Sequence, residues 1–317
     1  MREYVLSHEN RQWWMGLAMI WIIVYHLWIS DGGLKSYINI DFLDFFFSKG
    51  YLGVDIFFFL SAYGCACSLS KNSLRTFYRN RFFRLFPIYI VYTIILVLIL
   101  CGYYRQTWWL MFVKQVTGLS TLTLGRLQVE WYMPAQILVY VLFPIIYKLA
   151  KMIHKNAVSF FLVVLFFSIF VFVIDRIFIS NFAYRIPIII IGTVTYFLLA
   201  KNNNQRLLLY YLMGGLIAFL SINSVILFSS LTLPLLLYAF SKCDLHLPLK
   251  RGVSFIGKHS LEIYLAQNFA LDHFLGKMSV VNPLVKFFEC AMIIILGSCL
   301  LYYIQFLSSK FLKNSIL

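Results

Sequence analysis

Two ionisable side chains stand alone in apolar runs near the amino terminus, and both have chemistry to offer. His26 lies four residues before the end of the run WWMGLAMIWIIVYHLWIS, residues 13–30, which is about the ~20 residues a helix needs to cross a bilayer. Asp55 is the lone charge in GYLGVDIFFFLSAYG. A polar group at such depth is costly and by default marks function. An imidazole titrating near ~6.5 is suited to take a proton from a hydroxyl at neutral pH. A carboxylate beside it would orient the ring and balance its charge. On consecutive antiparallel helices, His26 is expected about 6 Å below the exit of the first and Asp55 about four residues below the entry of the second. The spacing therefore predicts a base and its orienting partner at one level.

A second group is cationic. The stretch KNSLRTFYRNRFFRLFP places Lys71, Arg75, Arg79, Arg81 and Arg84 among Phe and Tyr and closes on Pro87, a basic junction suited to an anionic leaflet. Arg81 and Arg84, at i and i+3, project on one helical face and are able to hold a phosphate together. Glu130 and Trp131 stand at a predicted outer helix start and are candidates for acceptor binding. Asp44, Arg185 and the pair Asp272 and His273 are expected to be solvated flanks of the outer mouth, whereas Glu262 and Glu289 fall within or near spans and need partners. His8, His154, His246 and His259 lie in predicted cytoplasmic segments without metal-ligand spacing. The six cysteines lie mostly inside apolar runs and read as small buried hydrophobes, so no metal centre is expected.

The elements that must position these groups are membrane helices. A chain of 317 residues that is 62% hydrophobic and 12% charged cannot be solvated as a soluble domain. It is expected to be an all-α, polytopic bundle of about ten transmembrane helices with the lipid bilayer as its partner. The segments are roughly 13–30, 51–70, 86–104, 131–150, 157–175, 182–200, 207–222, 225–240, 259–276 and 284–306. The first run lacks a small-residue cleavage site and is expected to remain as an anchor. With the amino terminus inside, 18 of the 27 Lys and Arg fall on inner segments, so both termini are predicted to be cytoplasmic. The net charge of +15 is accordingly read as topology rather than as a footprint for nucleic acid. Residues 1–317 read as a single multi-pass domain of the plasma (inner) membrane, without an appended soluble domain.

The pieces GLAMIWIIVYH, GVDIFFFLSAYG and RNRFFRLFPIY, in this order and spacing, resemble the first three helices of membrane-bound acyltransferase family 3. Trp131 and Tyr132 with Tyr140 and Pro144, and the later FIGKHSLEIYLAQN, are similar to that family's later landmarks. The resemblance covers essentially the whole chain. It implies transfer of an acyl group, usually acetyl, from cytosolic acyl-coenzyme A to a hydroxyl of an extracytoplasmic glycan or glycolipid. It also implies that His26 and Asp55 are catalytic and that Arg81 and Arg84 contact the coenzyme's phosphates. Arg79 and Arg11 are candidates for the same anion.

Three positions depart from the family pattern. Met15 stands where an arginine is usual, eleven residues before the histidine, although Arg11 lies one turn below on nearly the same column. Ala62 replaces a glycine. Gln267 stands where histidine is frequent, and an amide binds substrate but cannot relay protons. Outside this resemblance, a carrier or flippase for a lipid-linked sugar would also use ten spans and intramembrane acids, but the chain shows no inverted repeat. An inactive relative is the reading that Met15 would favour. Acceptor selection is expected in the outer loops 31–50 and 105–130.

Overall fold

The computed structural model describes residues 8–29, 34–36, 38, 40–104, 107–117, 131–156, 158–160, 162–163, 166, 169, 185–198, 249–270 and 283–314. Among them the chain is helical, without a strand. The helices are α1 (His8–Ile29), α2 (Asp41–Phe47), α3 (Gly53–Lys71), α4 (Leu74–Tyr104), α5 (Trp108–Val116), α6 (Tyr132–Ile153), α7 (Ile186–Tyr196), α8 (Leu249–Lys258), α9 (Ser260–Ala270) and α10 (Pro283–Asn314). Among the described residues five stretches are long and apolar enough to cross a membrane: Asn10–Ile29, Asp41–Lys71, Leu74–Leu98, Tyr132–Ile153 and Phe288–Ser308. α7 and α9 represent the predicted segments 182–200 and 259–276. The predicted segments 207–222 and 225–240, and most of 157–175, lie outside the described residues.

α3 is the centre of the bundle. It is apolar on every side, as a helix surrounded by others must be, and the stretch Gly53–Leu60 is buried throughout. Its neighbours approach its backbone where a side chain is missing. A Cβ on Gly53 would sit 2.7 Å from the Ala18 carbonyl of α1, and one on Gly192 of α7 would sit 2.6 Å from the Phe59 carbonyl. Tyr196 donates its hydroxyl proton to Ser70 at 2.7 Å, joining the far ends of α7 and α3. Gln136 of α6 donates to Ser61 at 2.9 Å. These contacts make α6 and α7 run with α3, and α1 against it, as alternating crossings require.

Segments expected between the spans are helical, among them part of the outer loop 105–130, which contains α5. The outer segment 31–50 contains α2. The basic junction is the first part of α4, because Ser73 accepts the Thr76 N–H through its side chain and caps the helix start. Pro87 therefore lies inside a 31-residue helix instead of opening one. It leaves the Phe83 carbonyl without its i+4 donor, and Gln305 of α10 donates to the adjacent Arg84 carbonyl at 3.3 Å. Residues 249–258, expected in a cytoplasmic segment, form α8, which packs on the first part of α1. There Gly16 meets the Val253 carbonyl and Gly257 meets the Gln12 carbonyl, each in a space too small for a Cβ. Side chains such as Leu98, Ile145 and Phe288 point away from the bundle, as lipid-facing positions do.

Gly252 lies on the same short helix with open space around it, which provides an internal comparison. Gly257→Ala is expected to lower the stability of the detergent-solubilised protein by about 1–3 kcal/mol through overpacking. Gly252→Ala should raise it by roughly 0.5–1 kcal/mol. Equal thermal unfolding midpoints for the two variants would contradict the close crossing of α1 and α8.

Candidate active site

Arginines from two helices converge on one cavity near the start of α1. Arg11 and Met15 of α1, Ser61 and Gly64 of α3, Arg81 and Arg84 of α4, Gln136 and Tyr140 of α6, and Tyr264 of α9 are among its walls, around about 710 Å³ of empty space that is partly open to solvent. Gly64 brings two of these cations together. Its carbonyl accepts from Arg81 Nη2 at 3.2 Å, and its missing side chain admits Arg11, whose Nη1 would be 2.7 Å from a Cβ there. The Arg81 guanidinium also lies 5.6 Å from both the Phe77 and Tyr140 ring centres. Among the described residues no carboxylate lines this cavity. Buried Arg81 Nε and Gln136 Oε1 have no hydrogen-bond partner there. Buried Glu262 of α9 is within electrostatic reach of Arg84, so three cations face one nearby acid, and with a spare donor and a spare acceptor they suit a polar polyanion.

The structure unites the predicted Arg11, Arg81 and Arg84, and places Met15 beside Arg11. It separates Arg79, which is exposed and absent from the cavity wall. The reason is angular: two residues from Arg81, its side chain lies about 200° away around α4.

His26 is half-buried near the opposite end of α1, with its ring edge-on to Tyr25 at 5.1 Å between centres. At 100° per residue it stands within about 20° of Met15, and Met19 and Ile22, both fully buried, occupy the same column between them. His26 and the cavity thus lie on one face of α1, roughly 22 Å apart along the axis from Arg11 to His26.

Asp55 requires a correction. It is fully buried, but the ion pair it forms is with Arg185, at 3.1 Å from Nε to Oδ1. No hydrogen bond or ion pair joins it to His26. The expected match in depth fails because Gly53 packs against Ala18 and Ile22, which sets Asp55 near the level of residue 18. That is roughly 12 Å from His26 along α1. The sequence reading counted from an assumed helix mouth, whereas close glycine contacts set the register.

Arg185, expected as a solvated flank, is only 4% exposed. It precedes α7, where the helix dipole disfavours a cation, so the Asp55 carboxylate compensates it. Trp131 lies across its guanidinium at 4.9 Å, and Tyr25 and Tyr51 are within its electrostatic reach. A signal was present in the sequence: IPIIIIG, residues 186–192, is apolar on all sides, and a helix of that kind is buried with its flanking residue.

The remaining predicted residues are dispersed. Trp131 also neighbours Phe58 and Tyr132. Gln267 is fully buried with Nε2 toward Asn268 Oδ1 at 3.5 Å, and it does not line the cavity. Glu130, Asp272 and His273 lie outside the described residues. Asp44, also expected as a solvated flank, accepts hydrogen bonds from buried Trp28 at 2.8 Å and from Lys35 at 3.1 Å.

Removing one partner of a buried ion pair leaves an uncompensated charge, at a cost of about 3–5 kcal/mol. Asp55→Ala should therefore lower the thermal unfolding midpoint well beyond His26→Ala, which removes no ion pair. Equal midpoints would show that the Asp55–Arg185 pair contributes nothing to the fold.

No curated protein and no solved structure matches the chain. The family model described as an acyltransferase domain matches residues 13–303, nearly the whole sequence, and Arg11 lies just before the matched stretch. The chain therefore belongs to acyltransferase family 3 and is an acyltransferase of the helical membrane class.

Proposed function

We propose that the protein transfers an acyl group, most simply acetyl, from cytosolic acyl-coenzyme A to a hydroxyl of an extracytoplasmic cell-surface carbohydrate or glycolipid. It does so in the plasma (inner) membrane, with ten crossings and both termini cytoplasmic. The observation that carries this reading is the cavity of Arg11, Arg81 and Arg84 without a carboxylate. Coenzyme A is a polyanion at one end and a thioester at the other, and its phosphates would supply the charge these arginines need. Arg11 takes over at this cavity from the arginine missing at Met15, because Gly64 leaves room for it.

In this mechanism Arg81 and Arg84 hold the phosphates at the inner end, and the walls formed by Ser61, Gln136 and Tyr264 direct the acyl arm along the His26 face of α1. His26 acts as general base at the outer end. It removes the proton from the acceptor hydroxyl as the oxygen attacks the thioester carbonyl, then returns that proton to the departing thiolate. Met19 and Ile22 fill the column between cavity and base, so the arm reaches His26 by displacing these side chains. Asp55 acts at a distance from His26, through Arg185.

Two measurements test the proposal. Coenzyme A or adenosine 3′,5′-bisphosphate should raise the unfolding midpoint of wild type and of His26→Ala, but much less that of Arg81→Gln, since ligand binding to the folded state stabilises it. Mass spectrometry of surface glycans should find an acyl ester in cells expressing wild type and none with His26→Ala at matched membrane levels. Identical glycans in both cells, with no response to coenzyme A, would favour a carrier or an inactive relative.

A further inference from the structure

The arginine cavity is layered. At its open end, where Arg84 is exposed, Arg81 donates to the Gly64 carbonyl and its guanidinium lies 5.6 Å from the Tyr140 ring centre. One turn further along α3 and α6 stand Ser61 and Gln136, joined by the 2.9 Å hydrogen bond from Nε2 to Oγ. One turn beyond these, the Phe57 and Tyr132 ring centres are 6.0 Å apart, and Tyr264 of α9 is 5.0 Å from Tyr132. All of these residues line the same space. Charge gives way to neutral hydrogen-bonding groups and then to rings within about 11 Å, or two helical turns.

The middle level is unfinished. Gln136 is only 2% exposed, its Nε2 is occupied by Ser61, and its Oε1 is buried without a hydrogen-bond partner. A buried acceptor without a donor is costly, and native folds seldom keep one without a use. The amide turns about a soft terminal torsion, so a small rotation presents Oε1 to the cavity while Ser61, which both donates and accepts, holds the other side. What this level lacks is a neutral N–H, held about one turn from the group that the arginines bind. Coenzyme A has that order. Four carbon atoms separate its phosphate ester oxygen from the nearest amide nitrogen, about 6 Å in extended form, against about 5.4 Å for one helical turn.

We propose that Gln136, oriented by Ser61, is a binding residue for the arm of the donor: its Oε1 accepts the N–H of the amide nearest the phosphates. This rests on the acyltransferase reading above and deepens it. The arginines hold the charged end of the ligand, the Ser61–Gln136 pair reads the amide one turn deeper, and Phe57, Tyr132 and Tyr264 enclose the methylenes beyond it. The amide level is what separates a donor with a pantetheine arm from a free nucleotide, because the arginines by themselves recognise any phosphate cluster of that size.

Two ligands separate the levels. Coenzyme A and adenosine 3′-phosphate 5′-diphosphate, which keeps all the phosphates and lacks the arm, would be titrated into the purified full chain in detergent, followed by calorimetry. Gln136→Met has nearly the length of the native side chain without its amide. It is expected to raise the Kd for coenzyme A by about 3- to 10-fold, the worth of one neutral hydrogen bond, and to leave the Kd of the armless nucleotide unchanged. A rise of less than about threefold, or an equal rise for both ligands, would overturn the proposal. If Gln136→Met does not fold, Ser61→Ala decides, because it frees the amide that Ser61 orients. A rise of at least about threefold confined to coenzyme A supports the proposal, and any other result overturns it. Wild type that binds neither ligand would instead overturn the coenzyme A reading of the cavity, and this site with it.

Discussion

Helices in a bilayer gain nothing by exchanging lipid contacts for one another's apolar side chains, so their association depends on how closely their backbones can approach. In this protein that constraint is met around α3. Gly50 and Gly53 admit α1, Gly192 admits α7, and Gly16 with Gly257 joins α1 to α8. Each contact is a backbone carbonyl or side-chain root pressed into the space of an absent Cβ. Because such contacts cannot slide by a residue without a clash, they fix the relative heights of the helices, and every functional group rides on those heights.

The distribution of charge follows from that register. Arg11 enters the notch at Gly64 because α1 and α3 are docked at this height, and Arg81 reaches the carbonyl of the same glycine from α4. Further along α3, Asp55 faces the start of α7 and receives Arg185. One helix therefore carries a cationic end open to solvent and a neutralised pair out of solvent. The first has charge left to offer a ligand, and the second has its charge held in a fixed orientation. The two differ in chemistry because burial without a partner is too costly for the second.

Much of this arrangement was legible in the residues. Arg81 and Arg84 were recognisable as a pair because i and i+3 share a face whatever surrounds them, whereas Arg79, expected at the same anion, is exposed and off the cavity wall. Arg11 was within reach of the channel because its column includes Met15. Arg185 was misjudged because a cation beside an apolar run looks the same whether that run starts at the membrane surface or inside the protein. Asp55 was read as the partner of His26 but pairs with Arg185, since its depth was counted from a helix mouth that the fold does not use. The helical start of α4 is marked by Ser73, whereas the third span was expected at 86–104, after the basic stretch.

The sequence by itself determined the class of protein, the family, the crossing helices with the strongest apolar runs, and the cations Arg11, Arg81 and Arg84 that share one cavity. These depend on composition and on spacing within one helix, where geometry is set by a rise of about 1.5 Å and 100° per residue. Tertiary structure alone decided that Asp55 pairs with Arg185 instead of His26, that Trp131 covers that pair, and that Gly64 seats two arginines at one point. Those relations join helices far apart in the chain, and their heights depend on which missing side chain meets which backbone, a fit between surfaces that no single segment contains.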